Sequence, residues 1–306
     1  MGKIVLYYKY VDIAQPERIM AWQKELCQTL DLKGRVLIAH EGINGTLGGT
    51  TQAIETYKQY MKAHSLFNDI DFKESDGSAD HFPKLKIKVK KEIVRLELDT
   101  QLVSAKDSGN HLEPAQVHTL LTDKPEDLVL LDGRNNYESR VGAFEGAIKP
   151  DINNFRDLPA YIDQNLHAFK DKHVVMYCTG GVRCERASAY LKLKAVAKEV
   201  SQIKGGIHRY IEQFPDGFFR GKNYVFDARV SVAANNDILA TCQVCSCGYD
   251  EYTNCINAEC NKQIIVCPSC IEHYHNTCST VCLELVQAGK VNIRTIPTKI
   301  PVVSDH

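Results

Sequence analysis

The cysteines of this 306-residue chain are unevenly distributed, and that distribution constrains the fold more than any other feature. Nine of the twelve lie between Cys242 and Cys282, among glycines and polar residues that show little apolar periodicity. Such a density of thiols indicates disulfides in a secreted protein and bound metal in a cytoplasmic one. The cellular compartment therefore decides how this segment can fold.

The N-terminal residues and the overall composition favour the cytoplasm. The apolar run at residues 4–8 is shorter than a signal-peptide core and is followed by Lys9. No stretch approaches the ~20 apolar residues of a membrane span. The net charge of −1 provides no global basic field, so any nucleic-acid site must be a local patch. We expect a cytoplasmic protein with no membrane or DNA partner.

The cysteine-rich segment therefore predicts bound metal in a small C-terminal domain at residues 226–306. Pairs of cysteines at such short spacings place two thiolates on one tetrahedral Zn²⁺, so four pairs would form two structural zinc sites. One cysteine is left over among the first three, and the spacing allows either sequential or interleaved pairing. His273 and His275 could substitute as ligands, and an iron–sulfur cluster is the alternative metal centre. The candidate ligands are Cys242, Cys245, Cys247, Cys255, Cys260, Cys267, Cys270, Cys278 and Cys282.

A second cysteine motif lies in the middle of the chain, after a short apolar strand predicted at residues 174–177. It reads Cys178-Thr179-Gly180-Gly181-Val182-Arg183 and precedes a predicted helix at residues 185–193. The glycines let the loop curl so that backbone N–H groups converge on the sulfur, and the helix N-terminus and Arg183 add positive charge. These features lower a thiol pKa from its usual ~8.5 and predict a reactive thiolate at Cys178 rather than a buried structural cysteine.

This loop resembles the active-site loop of the rhodanese family, and the resemblance extends to neighbouring segments. Asp132-Gly133-Arg134-Asn135-Asn136-Tyr137-Glu138 is similar to the family's segment after the second core strand, and Ile203-Lys204-Gly205-Gly206-Ile207 to its closing strand and turn. The resemblance implies an α/β rhodanese domain at residues 116–225. The polar residues and Pro114 before it indicate a linker at 101–115. Cys178 and Arg183 would then be catalytic, with Asp132, Arg134 and Glu138 in support.

The length of the loop argues against a phosphatase. Phosphatases built on this fold have five residues between cysteine and arginine, whereas Thr179–Val182 provides four. The smaller loop favours a guest the size of sulfur, or a planar one, over a tetrahedral phosphate. Cys184, which directly follows Arg183, is either a resolving thiol for Cys178 or a small residue in the first helical turn.

Residues 1–100 form a separate predicted α+β unit. The sequence pattern predicts strands at 3–10 and 35–39, a third strand that ends at Gly48-Gly49, helices at 15–30 and 51–64, and a returning strand within 84–98. Asn44-Gly45 favours a hairpin turn, because both central residues of that turn need positive φ. The apolar phase shifts after Glu92, which predicts a break near Lys91. The order βαββαβ predicts a ferredoxin-like sandwich.

A row of lysines alternates with apolar residues in the returning strand. Lys84, Lys86, Lys88 and Lys90 would share one face of the sheet. They could contact RNA phosphates or form a solvated face, and on their own they favour the solvated face. Arg156 is a further candidate contact to an RNA backbone.

The three units together resemble one family along nearly the whole chain. Glu41-Gly42-Ile43-Asn44-Gly45-Thr46, the motif Cys178–Glu185 and the cysteine-rich tail are similar to the bacterial rhodanese-domain tRNA uridine hydroxylases. The resemblance implies an oxidoreductase that uses molecular oxygen to hydroxylate C5 of uridine 34 in the tRNA anticodon loop. It also implies that Cys178 is essential.

Two mechanisms and two competing functions remain open at this point. Cys178 could add to C6 of uracil and turn C5 into an enolate carbon that reacts with oxygen, or it could carry a persulfide or sulfenic acid. The competing functions are a sulfurtransferase that moves sulfane sulfur as a Cys178 persulfide and a redox-sensing module that binds tRNA or another partner.

Overall fold

The computed structural model describes residues 2–260 and 262–294. Its first unit contains β1 (Gly2–Tyr10), α1 (Pro16–Thr29), β2 (Lys33–Ala39), β3 (Gly42–Thr50), α2 (Thr51–Ala63), β4 (Asp71–Asp76) and β5 (Leu85–Val89). The sheet has the order β4-β1-β3-β2-β5. Its first four strands pair antiparallel, and β5 adds to β2 in parallel. The ferredoxin-like prediction is confirmed, with one extra edge strand.

The two faces of this sheet have different neighbours. Val5 and Tyr7 of β1 are fully buried in the core that α1 and α2 cover. Successive strand residues point to opposite faces, so Leu6 and Tyr8 lie on the other side. There the Tyr8 hydroxyl donates a hydrogen bond to Glu185, far along the chain. The second face is therefore directed at the central unit.

The strand predicted within residues 84–98 differs from the observed structure. The fourth strand of the ferredoxin-like order is β4, which the sequence analysis missed, and only Leu85–Val89 of the predicted segment is a strand. The chain leaves the sheet after Val89, so the break predicted near Lys91 is present. β4 was missed because its sequence, Asp-Phe-Lys-Glu-Ser-Asp, lacks apolar alternation.

The predicted turn at Asn44-Gly45 is wrong. Ala39 pairs with Gly42, so His40 and Glu41 form the two-residue connection between β2 and β3, and Asn44 and Gly45 lie inside β3. Gly45 is needed for a different reason, because a Cβ there would lie 2.3 Å from the Tyr7 ring. A close side-chain approach, rather than a positive φ, explains this glycine.

The central unit is a doubly wound α/β domain. Its elements are β6 (Asn110–Leu112), α3 (Pro114–Asp123), β7 (Leu128–Asp132), α4 (Asn136–Ser139), β8 (Gly142–Phe144), α5 (Leu158–Gln164), α6 (Leu166–Phe169), β9 (His173–Tyr177), α7 (Val182–Leu193), β10 (Glu199–Ile203) and α8 (Gly206–Gln213). The parallel sheet has the order β6-β10-β9-β7. Val117 and Ile207 pack on one face, and Ile162 and Leu191 on the other. Such two-sided burial explains the continuous apolar strands.

The segment predicted as a linker is instead packed against the central sheet. Residues 101–115 contain β6, which pairs with β10, and the start of α3. Leu96 and Val103 lie in the same core cluster as α7. The fully buried Arg186 donates hydrogen bonds to the carbonyl groups of Leu98 and Val103. Polar composition suggested a linker, but these backbone pairings make the segment part of the domain.

The first strand of the C-terminal unit pairs with a strand of the central domain. It contains β11 (Phe219–Tyr224), β12 (Ser231–Ala233), β13 (Tyr252–Asn254), β14 (Gln263–Ile265), α9 (Pro268–Tyr274) and α10 (Thr280–Gln287). β11 pairs with β8 on one side and with β12 on the other, and β13 pairs with β14. Within residues 2–260 and 262–294, none of the helices is long and apolar enough to cross a bilayer.

Candidate active site

Cys178 lies where β9 ends and the loop to α7 begins. Its side chain is fully buried, and the Gly181 N–H donates a hydrogen bond to its sulfur at 3.2 Å. Gly181 has φ +104°, which a residue with a side chain rarely adopts. α7 begins at Val182, so its N-terminus lies beside the same loop. The predicted curled loop is thus present.

The glycines of this loop also allow the N-terminal sheet to approach it. A Cβ on Gly180 would lie 2.7 Å from Cδ2 of Leu6, and a Cβ on Gly181 would lie 2.7 Å from the hydroxyl of Tyr8. Both distances are shorter than real carbon contacts, so a larger residue would require the side chain of Leu6 or Tyr8 to shift. The Cys178 loop is therefore built against β1 of the N-terminal unit.

The two neighbouring thiols, Cys178 and Cys184, differ in acidity. Burial raises the pKa of Cys178, but the thiol of Cys184, the charge of Arg183 and the backbone N–H groups of Arg183 and Gly181 lower it to about 5. Burial and hydrogen bonding to Cys178 raise the pKa of Cys184 well above its usual range. Cys178 is therefore a thiolate near pH 7, and Cys184 stays a protonated donor.

Arg183 is held by a buried carboxylate. Its guanidinium donates two parallel hydrogen bonds to Glu138, one of 2.5 Å and the other of 2.7 Å. Glu138 also accepts hydrogen bonds from the hydroxyl of Thr179 at 3.4 Å and from the N–H of Asn135 at 3.1 Å. Burial raises the pKa of Glu138, but the charge of Arg183 lowers it, with a net decrease. The pair fixes the positive charge beside the loop.

Asp132 and Arg134 form a second buried ion pair behind the loop. Nη2 of Arg134 donates to Asp132 at 2.7 Å and to the carbonyl of Gly142 at 2.6 Å. Nη1 reaches the carbonyl of Glu138 at 3.4 Å. These two residues thus tie the strand end of β7 to α4 and β8, and they support the Glu138–Arg183 pair without lining the cleft described below.

Contacts between the domains extend over the first turns of α7. Tyr8 donates to Glu185 at 2.8 Å, and Tyr10 donates to the carbonyl of Val182 at 3.2 Å. Glu185 is buried and also accepts hydrogen bonds from the side chains of His111 and Gln202. This junction was not predicted from the sequence. The sequence signal for it is in β1, where Tyr7 and Tyr8 place a large side chain on each face of the sheet.

A cleft of about 1040 Å³ opens between the N-terminal sheet, the Cys178 loop and the C-terminal unit. Cys178, Thr179, Gly180, Val182 and Arg183 line it together with Leu6, Tyr8 and other residues of the sheet face. The charged residues of its lining are mostly basic, with eight lysine and arginine residues and three carboxylates. The basic residues are Arg35, Lys73, Lys90, Lys91, Arg95, Arg156, Arg183 and Arg229. Three of these cations are buried and ion-paired, Lys73 with Asp71, Arg183 with Glu138 and Arg229 with Asp227. The other basic groups provide the positive charge that suits a polyanion.

Only some of the residues that were predicted to contact RNA line this cleft. Lys90 and Arg156 line it, and all four lysines of the row are exposed. Lys86 pairs with Arg35 across β2 and β5, and Lys88 pairs with Leu37, so both lie on the sheet face that forms the cleft wall. Lys84 precedes β5, and neither it nor Lys86 or Lys88 is among the lining residues.

The C-terminal cysteines form two groups of four, and each group could hold a metal ion. The first comprises Cys242, Cys245, Cys267 and Cys270, and the second Cys255, Cys260, Cys278 and Cys282. Within each group the sulfur atoms lie within 4.8 Å of one another. The pairs are therefore interleaved along the chain. Cys247, His273 and His275 belong to neither group, so Cys247 is the cysteine left over.

Three family models match consecutive parts of the chain. Residues 2–93 match the UPF0176 acylphosphatase like domain, residues 113–213 match the Rhodanese-like domain, and residues 220–283 match the model described as Rhodanase C-terminal. These matches agree with the ferredoxin-like sheet, the doubly wound central domain and the cysteine-bearing tail.

Curated relatives match the chain over almost its whole length. The tRNA uridine(34) hydroxylase of Corynebacterium diphtheriae is 40% identical over 286 residues, covering 89% of this chain and 91% of that protein. The protein of the same name from Acholeplasma laidlawii is 41% identical, covering 92% and 89%. That of Staphylococcus saprophyticus is 40% identical, covering 92% and 90%. The chain therefore belongs to the tRNA uridine(34) hydroxylase family.

Proposed function

We propose that this protein hydroxylates C5 of uridine 34 in tRNA, with Cys178 as the reacting thiolate. The observation that carries the proposal is a thiolate of pKa about 5 on the wall of a basic cleft, in a chain whose relatives bear this activity in their name. A cytoplasmic location, expected from the sequence, gives the protein access to tRNA. The anticodon loop is the proposed partner, because its unpaired bases can be turned outward into a pocket.

The first proposed step is addition of the Cys178 sulfur to C6 of uracil. Unaided, C5 of uracil is too weak a nucleophile to react with oxygen. When sulfur bonds to C6, the electrons of the C5–C6 double bond move towards C5 and O4 as an enolate. Gly181 and Arg183 are the proposed source of stabilisation for the developing charge, because both already act on the Cys178 sulfur.

Molecular oxygen is the proposed co-substrate of the second step. The enolate carbon bonds to oxygen and forms a C5 peroxide, and loss of the C5 proton expels Cys178 and restores the ring. A two-electron reductant of the thiol class then cleaves the O–O bond and leaves the 5-hydroxyl group and water. A Cys178 persulfide or sulfenic acid is the alternative carrier of the reaction, and it requires the same residue.

Two structural zinc ions are the proposed occupants of the cysteine groups. A tetrahedral ion with Zn–S bonds of ~2.3 Å would separate its sulfur ligands by about 3.8 Å. The sulfur atoms of Cys245 and Cys267 lie 3.7 Å apart, and Cys278 lies 3.5 Å from Cys260 and 3.6 Å from Cys282. Zinc has no redox chemistry, so in this proposal it folds the tail and leaves oxidation to the Cys178 site.

Nucleoside mass spectrometry of tRNA tests this proposal. A strain lacking the gene is complemented with the wild type, with Cys178→Ala or with the matched control Cys27→Ala, which alters a buried cysteine of the N-terminal core. The expected result is 5-hydroxylated uridine 34 with the wild type and the control, and none with Cys178→Ala. Full hydroxylation by Cys178→Ala would contradict both mechanisms.

A sulfurtransferase activity is the second candidate, favoured by one observation. In the short loop a backbone N–H donor lies 3.2 Å from the Cys178 sulfur. This arrangement suits a persulfide as well as a thiolate. Rapid transfer of sulfur from thiosulfate to cyanide, with unchanged tRNA in the deletion strain, would favour this function. Tight tRNA binding that is insensitive to Cys178→Ser, without any loss of modification, would instead favour a redox-sensing binding module.

A further inference from the structure

The connection between β11 and β12 presents an aromatic side chain to the cleft. Phe226 is 58% exposed, although it is a large apolar residue, and it lines the same cleft as Cys178. It lies in the connection at residues 225–230, to which the sequence analysis assigned no role. An exposed aromatic ring beside basic groups is a typical surface for an unpaired nucleobase.

The connection is anchored to the N-terminal domain rather than loose. Arg229 donates two side-chain hydrogen bonds to Asp227, at 2.8 and 2.6 Å, and this ion pair is almost completely buried. The other guanidinium nitrogen donates to the hydroxyl of Ser75 and the carbonyl of Asp76, each at 2.9 Å. Arg229 therefore joins the C-terminal unit to β4 and fixes the position of Phe226.

The backbone of the connection is held in a strained conformation. Val230 has φ +65°, a conformation that a β-branched residue rarely adopts. Its N–H and carbonyl are both engaged, with Asp227 and Val225 respectively. The surrounding contacts thus stabilise a backbone conformation that valine disfavours.

The ring of Phe226 is oriented by its neighbours. The guanidinium carbon of Arg183 lies 5.9 Å from the ring centre, and Tyr224 packs edge-on at 5.4 Å with an interplanar angle of 70°. Arg183 itself is locked by Glu138. A ring held in this way loses little conformational entropy when a base stacks on it.

We propose that Phe226 is a stacking platform for the anticodon-loop base next to the target uridine. Since Cys178 is fully buried, the target base has to leave its neighbours in the loop to reach the sulfur. Phe226 packs beside Arg183, five residues from Cys178, and its exposed surface replaces the stacking partner that the adjacent base loses. This inference rests on the proposed function, because it needs the anticodon loop in the cleft.

Fluorescent anticodon stem-loops test the platform without requiring turnover. Two RNAs each carry a single 2-aminopurine, at position 33 or at position 35, and their binding is followed by fluorescence and by the dissociation constant. Wild type, Phe226→Ala, Phe226→Tyr and Tyr60→Ala are compared. Tyr60 is a matched control, since it is an aromatic residue that is 54% exposed and does not line the cleft.

The wild type is expected to quench 2-aminopurine at one of the two positions. Phe226→Ala should lose that quenching and bind roughly 5- to 100-fold more weakly, the range for loss of one base–aromatic stack. Phe226→Tyr and Tyr60→Ala should match the wild type, and equal melting temperatures would show that all variants fold. Unchanged quenching and affinity in Phe226→Ala would overturn the inference.

Failure of this inference is distinguishable from failure of the proposed function. Hydroxylation of uridine 34 by the wild type, with Phe226→Ala binding and quenching equally well, would overturn only the platform. Specific quenching through Phe226 without hydroxylation of uridine 34 by the wild type would leave the platform in place and overturn the proposed function.

Discussion

The Cys178 loop and the C-terminal cysteine groups both place cysteine sulfur among close polar neighbours, but those neighbours differ in kind. At Cys178 the stabilising groups belong to the polypeptide, namely the Gly181 N–H, the Cys184 thiol and the charge of Arg183. In the tail, sulfur atoms only 3.5–3.7 Å apart must share a cation if they are to ionise together. Cys178 lines a cleft, whereas the sulfur atoms of each tail group face each other.

This difference shows why only one of the two regions is suited to chemistry. A single thiolate held by fixed donors keeps a lone pair available for attack on a substrate. Four thiolates around one ion have no open position and contribute folding energy instead. The two regions can therefore be separated by experiments that remove either the polypeptide donors or the metal.

The largest expected effect is the loss of a tail ligand. Cys267→Ser should release one of the two metal ions and unfold the surrounding segment, because a structural zinc ion contributes about 10–16 kcal/mol to folding in small peptides. Metal analysis and limited proteolysis of the full chain measure this. Cys247→Ser is the control and should retain both ions. Metal loss from Cys247→Ser, or two ions retained by Cys267→Ser, would contradict the assigned groups.

A smaller but substantial effect is expected when the Glu138–Arg183 ion pair is broken. Glu138→Gln leaves Arg183 buried without a carboxylate partner, which typically costs about 3–5 kcal/mol. The denaturant concentration at the midpoint of unfolding, followed by circular dichroism, reports the change. Glu145→Gln breaks an exposed pair with Arg220 and should leave that concentration almost unchanged. Equal shifts in both variants would show that burial of the Glu138 pair does not matter.

Glu138 also makes the stability of the folded protein depend on pH, and the direction follows from its pKa shift. Because the pKa of Glu138 is lowered in the folded protein, its contribution to stability is complete above the pKa of the unfolded chain. The contribution is lost as the pH falls through the lowered folded value. Denaturation of the wild type should therefore become easier on acidification, and Glu138→Gln should respond less steeply. An identical slope in the two proteins would contradict this.

The acidity of Cys178 gives an effect of intermediate size. In the folded protein, alkylation of Cys178 should rise with pH around a midpoint near pH 5, the value to which its pKa is lowered. Burial raises the pKa of Cys27 to about 12, so that thiol should stay unreactive and serves as an internal control. Arg183→Gln removes a nearby positive charge and should move the midpoint upward by about one unit or more. A midpoint unchanged by this substitution would show that backbone donors suffice.

The smallest effect is expected at the junction between the domains. Tyr8→Phe keeps the ring over Gly181 but removes the hydrogen bond to Glu185, which is worth about 1 kcal/mol. Hydroxylation should fall by roughly fivefold in kcat/KM, with the alkylation midpoint of Cys178 unchanged. A shifted midpoint would instead mean that the N-terminal domain helps to set the acidity of the thiolate.

Much of the fold was predictable because its signals are local. The apolar run before Cys178, the two glycines and the following helix lie within a few residues, and the predicted strand, loop and helix are all present. The errors fall where tertiary contacts override local preference. Asn44-Gly45 carries the composition of a turn but lies inside β3, since Tyr7 packs against Gly45 and the turn moves to His40 and Glu41.

Sequence spacing alone was enough to predict which cysteines can act together, because it sets which atoms can meet within a short segment. It predicted a thiolate at Cys178 and pairs of metal-binding cysteines. The three-dimensional fold was needed to show that the pairs interleave, that Cys247 belongs to neither group and that Tyr8 and Phe226 line the cleft. Those residues are tens to hundreds of positions apart in the chain, so their proximity depends on how whole domains pack.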